Sequence, residues 1–223
     1  MNAEELEELI ADCPYLYHMA MKDSWPLIKR YGLLPTDGLL DLFDVQGEVR
    51  AQLTNHRRPA SVTISHPEHG DATVRDQIPM HENDLLRCLQ GGLTPKSWYK
   101  LLNERVFFWL TEERLSRLLC AGAYRSMDHL ILTVSTSAIV ECYRDTIELA
   151  PMNTGCTKPM AHPRGADTFL SIADYPYATW KKKRRRGERV VELTVLGGVP
   201  DIADYVEEVS IRSCGGAKTI IGP

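Results

Sequence analysis

Residues 189–196 read Arg-Val-Val-Glu-Leu-Thr-Val-Leu. The run has the length of a strand and is rich in β-branched residues, so it predicts a β-strand. It carries one carboxylate, Glu192, flanked by Val190, Val191, Leu193 and Val195. Burying a carboxylate among such neighbours is costly unless it is paired. Glu192 is therefore the best single candidate for chemistry, against the plainer reading of a glutamate on an exposed sheet edge. Just upstream stand six cations in a row: Lys181, Lys182, Lys183, Arg184, Arg185 and Arg186. They repel one another, so the run is expected to be exposed, and a solvated charged surface is its ordinary reading. Before it comes Tyr-Pro-Tyr-Ala-Thr-Trp over 175–180. Downstream, residues 200–209 predict a short helix or turn. A last strand over 208–212 follows, and the tail from residue 215 is expected to be loose.

Towards the N-terminus, residues 3–12 have helical periodicity and Pro14 stops them. Residues 15–19, Tyr-Leu-Tyr-His-Met, predict a short buried strand. A helix opening at Trp25-Pro26 ends at Gly32, and another begins at Thr36-Asp37. Residues 46–58 read as helix, and residues 61–64 and 72–75 as two short strands around a polar turn. Helices are expected over 82–90 and 95–105, a strand over 105–110, and a helix over 112–122. A strand over 130–135, a helix over 136–144 and a strand over 146–149 follow. Residues 151–167 predict a long loop rich in proline and glycine. Strands and helices alternate irregularly, which indicates α+β rather than a doubly wound sheet. The chain, 1–223, reads as one domain.

Hydrophobic residues make up 43% and charged residues 25%, a globular composition rather than a disordered one. The net charge of −4 argues against a general polyanion binder and leaves room for a local basic patch. No apolar run approaches a membrane span, and the acidic N-terminus lacks the pattern of a secretory signal. A cytoplasmic protein with no membrane partner is the expectation. Six cysteines lie far apart with no C-x-x-C, so free thiols in a reducing cytosol are expected. His66 and His69 read as parts of a solvated loop, and no metal site is expected. The common dinucleotide, triphosphate, serine-hydrolase and zincin motifs are missing. That leaves NAD open as a ligand, because some NAD-consuming folds bind it without a Rossmann unit.

Three further segments stand out. His18 sits in an apolar strand, as a satisfied core histidine or a ligand. Arg75, in V-R-D-Q-I-P-M, ends a strand, as a surface residue or an anion binder. Val106-Phe107-Phe108-Trp109 is either core or a stacking platform.

Taken in order, these segments resemble a known set. Y-H-M followed by W-x-x-I-x-x-x-G-L resembles the opening strand and helix of the DarT-type ADP-ribosyltransferases and of the NAD-dependent RNA 2′-phosphotransferases. R-D-Q-I-P-M, R-V-F-F-W-L-T and V-V-E-L-T-V-x-x-x-V-P are similar to later stretches of the DarT group. The resemblance covers residues 15–209. The whole chain also resembles an uncharacterised bacterial family sharing this pattern, which by itself supplies no substrate. The resemblance implies an ADP-ribosyltransferase-like split β-sheet core with surrounding helices, taking NAD in the cleft between its halves. It implies a cofactor-binding set of Tyr17, His18, Met19, Gly32, Arg75, Phe108 and Trp109. Glu192 and Arg75 would be catalytic: the carboxylate stabilises positive charge at the ribose C1, and the guanidinium fork holds the phosphates. Many protein-modifying members carry Gln or Glu two residues before the catalytic glutamate. Here that position is Val190, which disfavours an arginine-modifying activity.

The basic run at 181–186 can neutralise phosphates, and Tyr175, Tyr177 and Trp180 can stack on unpaired bases. With Trp180 and residues 181–186 as the nucleic-acid-binding set, single-stranded DNA or RNA is the expected acceptor. A toxin or anti-phage role with an antitoxin partner rests on family analogy alone. The alternatives are an RNA 2′-phosphotransferase and a non-catalytic binding module of the same fold.

Overall fold

The computed structural model describes residues 1–222. The helices are α1 (Ala3–Asp12), α2 (Trp25–Tyr31), α3 (Thr36–Leu42), α4 (Gly47–Asn55), α5 (Glu82–Cys88), α6 (Pro95–Asn103), α7 (Glu112–Leu119), α8 (Thr136–Tyr143) and α9 (Tyr177–Lys183). The strands are β1 (Tyr15–Met21), β2 (Val62–His66), β3 (Gly70–Val74), β4 (Arg105–Trp109), β5 (His129–Ser135), β6 (Ile147–Ala150), β7 (Leu170–Ser171), β8 (Glu192–Leu196), β9 (Val206–Arg212) and β10 (Thr219–Gly222). The α+β expectation holds.

Local chemistry sets the helix ends. Asn2 caps α1 by accepting from the Glu5 N–H at 2.9 Å, while the Glu5 carboxylate accepts from the Asn2 N–H at 3.0 Å. Thr94 and Ser97 make the same reciprocal pair at α6, with Pro95 at its first position. Thr111 caps α7. Leu115 and Leu119 of α7 then pack on Ile131 of β5, with Tyr17, Met19 and Trp109 beside them. Each such leucine contributes roughly 1.5–3 kcal/mol by leaving water.

Eight strands form one antiparallel sheet in the order β10-β9-β5-β1-β4-β8-β6-β7, and β2 pairs with β3 in a separate hairpin. β5 is buried along almost its whole length, as expected for a strand covered on both faces. The pairing is uneven across the sheet. β1 meets β5 over seven residue pairs, and β4 meets β8 over five. β1 and β4 are joined at one pair only, Tyr17 with Trp109. Beyond that pair the strands diverge. The His18 Nδ1 and the Phe107 carbonyl, 2.9 Å apart, span the gap where ladder bonds would stand. The main core lies on the face that carries Leu16, Leu132, Leu193 and Val195. Separate clusters form around Trp98 and Tyr99, and beneath the hairpin around Leu40 and Phe43.

Three sequence expectations are corrected here. Cys120 and Cys214 form a disulfide across a separation of 94 residues, so the six thiols are not all free. The chain path, not the spacing, brings them together: Cys120 caps the end of α7 and Cys214 follows β9. The tail is not loose, because β10 pairs with β9. His66 and His69 are not solvated: their rings stack at 4.3 Å, and Tyr31 Oη lies 2.8 Å from His69 Nδ1.

Candidate active site

The divergence of β1 from β4 opens a cleft of about 630 Å³, walled by residues 18–21 of β1 and 105–109 of β4. His18, Arg75, Trp109 and Glu192 all line it. Glu192 opens β8, which lies between β4 and β6, so the edge-strand reading fails. In register, Ala150, Glu192, Trp109 and Tyr17 form one cross-strand row that ends at the vertex of the cleft. Glu192 is 4% exposed. Its Oε2 accepts from the Thr154 hydroxyl at 2.6 Å and the Thr154 N–H at 3.1 Å. Burial pushes its pKa up to about 7, against the opposing pull of the Thr154 hydrogen bonds and the Arg114 and Arg164 charges. It therefore changes charge near neutral pH.

His18 is half-buried, and its ring edge meets Phe108 at 5.8 Å. Burial pushes its pKa down to about 4, the nearby Arg75 charge adds to this, and the Phe107 carbonyl opposes it. The ring is neutral at physiological pH. A neutral ring facing a carbonyl carries its proton on Nδ1, which leaves Nε2 as an acceptor.

Arg75 leaves β3 with its guanidinium 5.1 Å over the Tyr124 ring. Its Nε and Nη1 are buried and have no hydrogen-bond partner. Tyr124 is fixed by donating to Asp76 at 2.7 Å. The Arg75 carbonyl is held by the buried Arg58 at 2.7 Å. A braced guanidinium with two idle donors in a cleft wall is suited to an anion.

The other predicted residues divide. Met19 and Trp109 are half-buried and line the cleft. Phe108 touches it but is 1% exposed and belongs to the main core. Tyr17 packs against α7 and does not line the cleft. Gly32 lines it for a backbone reason. Leu33 and Val199 exchange two hydrogen bonds of 2.9 Å, which brings Pro200 against Gly32. The G-L and V-P motifs, distant in sequence, are thus one contact.

The basic run lies outside the cleft lining. Lys181 pairs with Glu8 at 2.6 Å, Arg185 with Glu113 at 2.6 Å, and Arg186 with Asp12 at 2.5 Å. Arg184 stacks on Trp180 at 4.1 Å and donates to the Pro151 carbonyl at 2.7 Å. Lys182 forms no ion pair or hydrogen bond among the described residues, and Lys183 touches only the Trp180 ring. Tyr175 and Tyr177 cannot stack on bases: each is 1% exposed, and Tyr175 donates to the Arg189 carbonyl. Val190 is likewise buried, at 1% exposure.

Sequence reasoning missed Thr154 and Arg164, the groups nearest to Glu192 in effect. Both lie in an irregular loop where no periodicity marks a residue as buried.

The family described as "Family of unknown function (DUF7002)" matches residues 14–206. The chain belongs to the DUF7002 family. No curated protein matches it. The DUF7002 match begins just before β1 and ends at the first residue of β9, so it encloses every residue of the cleft wall. It leaves out α1, whose Glu8 and Asp12 neutralise part of the basic run, and Cys214.

Proposed function

We propose that this DUF7002 chain is an NAD-dependent ADP-ribosyltransferase acting on single-stranded nucleic acid. The observation that carries the reading is the convergence of Glu192, Arg75 and His18 on one cleft, opened where the sheet splits between β1 and β4. The idle Arg75 nitrogens fit a pyrophosphate, and the cleft volume suits a ligand of dinucleotide size. His18 Nε2 accepts a hydrogen bond from a ribose hydroxyl. Trp109, the register neighbour of Glu192, offers its indole to nicotinamide.

The reaction breaks the bond from the ribose C1 to nicotinamide, and the electron pair leaves with nicotinamide. Positive charge builds at C1, and ionised Glu192 stabilises it in a site shielded from water. A lone pair on the acceptor forms the new bond, and the acceptor's proton passes to Glu192 or to water. Because Glu192 must be ionised, turnover rises with pH through the region near 7.

The acceptor assignment rests on the exposed cations beside Trp180 and on the Arg184 contact to the loop that holds Glu192. Most of the run is already paired, so few phosphates are neutralised. Replacing Lys182 and Lys183 with Ser is expected to flatten the salt dependence of single-strand binding by about 1.4 in log–log slope, at ~0.7 per phosphate. An unchanged slope removes the run from the interface. A cytoplasmic location and an antitoxin partner complete the proposal. The Cys120–Cys214 bond is unusual for that compartment.

Calorimetry with NAD tests the cofactor assignment. Arg75→Ala is expected to weaken binding by at least ~10-fold, the scale of a lost charge-assisted hydrogen bond. The thermal transition should stay in place, because no side-chain bond of Arg75 holds the fold. Parent and variant binding NAD equally would take Arg75 out of the site.

A further inference from the structure

Arg164 is 1% exposed and has no carboxylate within ion-pair distance among the described residues. Its guanidinium is spent on carbonyls. Nη1 donates to Thr154 at 2.9 Å, Nη2 to Cys156 at 2.9 Å, and Nε to His162 at 3.2 Å. The Trp98 ring lies 5.7 Å from its centre. Its backbone is fixed as well: the Arg164 N–H donates to Cys88 at 3.0 Å, and its carbonyl accepts from Gln90 at 2.9 Å. A buried cation with no counter-ion is a costly feature unless something nearby uses the charge.

The nearby user is Glu192. Thr154, itself fully buried, has its carbonyl on Arg164 and both its N–H and O–H on Glu192 Oε2. The other charge acting on the carboxylate is Arg114, and Arg114 is already paired with Glu188. Arg164 is thus the unpaired positive charge behind the site, one residue removed from the carboxylate. With Oε2 doubly engaged, Oε1 is the oxygen left without a protein partner.

We propose that Arg164 is a positioning residue. It locks the Thr154 carbonyl, so that Thr154 holds one oxygen of Glu192 and leaves the other for the cleft, and it biases that carboxylate towards its ionised form. This rests on the reading of Glu192 as the reacting carboxylate.

The test follows the carboxylate itself. The full chain is labelled with ¹³C at glutamate side-chain carboxyls, and the Glu192 signal is assigned by its loss in Glu192→Gln. It is then titrated by NMR in the parent, Thr154→Val, Thr154→Ser, Arg164→Met and Arg164→Lys. The parent midpoint is expected at about 7. Thr154→Val and Arg164→Met should each raise it by ~1 pH unit or more, because each removes something that favours the charged form. Thr154→Ser, which keeps both donors, should restore the parent value. Arg164→Lys keeps the charge but not the fork, so it should fall between the parent and Arg164→Met. Combining Thr154→Val with Arg164→Met should shift the midpoint by less than the sum, since part of the effect of Arg164 passes through Thr154.

If Arg164→Met does not fold, the Arg164→Lys and Thr154 variants carry the test. A parent-like midpoint in folded Thr154→Val, or in folded Arg164→Lys, overturns the proposal. NAD turnover is measured on the same samples. Absence of turnover in the parent would defeat the enzymatic reading while the titration still judges the coupling of Arg164 to Glu192.

Discussion

Glu192→Gln is expected to lower NAD turnover by at least ~10²-fold and, at pH 8, to raise the unfolding free energy by about 3 kcal/mol. The loss of turnover follows from removing the one carboxylate placed to meet charge at the ribose C1. The gain in stability follows from burial. The carboxyl titrates at 4.5 when free and near 7 in the fold. Between those values the folded chain keeps a proton that the unfolded chain releases. Stability therefore falls as pH rises through that window, by roughly 1.4 kcal/mol per pH unit. The contribution is fully present below 4.5 and lost above 7. Gln can accept from Thr154 as the acid does and never ionises. The two proteins should be nearly equal in stability at pH 4.5 and well separated at pH 8. Urea unfolding at both values checks this. Equal stability at pH 8 would mean that Glu192 is not a buried acid.

Gly32→Ala is expected to destabilise the fold by at least ~3 kcal/mol, a fall in Tm of roughly 10 °C for a chain of this size. Gly32 has φ +86° and ψ 174°, a region entered almost only by glycine. A Cβ there would stand 2.4 Å from the Pro200 Cα and 2.6 Å from its carbonyl oxygen, both backbone atoms that cannot swing aside. The pair of hydrogen bonds joining Leu33 to Val199 would have to open. NAD binding should fall with the fold and recover on cooling to where the variant is native. A Tm equal to that of the parent would show that the contact is looser than described.

These two residues mark what the sequence could and could not disclose. Glu192 was legible because a lone carboxylate in a β-branched run has no cheap explanation. The strands over 105–109 and 129–135 were legible by the same apolar density. Gly32 was legible as a helix stop, but its Pro200 contact was not, since a close approach depends on the path of 168 intervening positions. Thr154 and Arg164 lie in a loop without period, and only the fold turns them inward. The Cys120–Cys214 bond was hidden for a related reason: well-spaced thiols look free until α7 and β9 are placed side by side. The basic run shows the opposite failure. Its charge was plain, but the acidic residues of α1 and α7 that neutralise much of it cannot be read from local sequence.

The central claim is transfer of ADP-ribose to nucleic acid through Glu192. The most direct measurement incubates the full chain with NAD labelled in the adenylate half and with mixed single-stranded DNA and RNA, some of it 2′-phosphorylated. Acid-stable label and added ADP-ribose mass on the nucleic acid are then followed for the parent and Glu192→Gln. The account predicts label on nucleic acid with the parent, released nicotinamide in equal amount, and neither with the variant. Loss of the 2′-phosphate without retained label would assign the phosphotransferase reaction. Parent protein that leaves NAD and both nucleic acids unchanged would contradict the account.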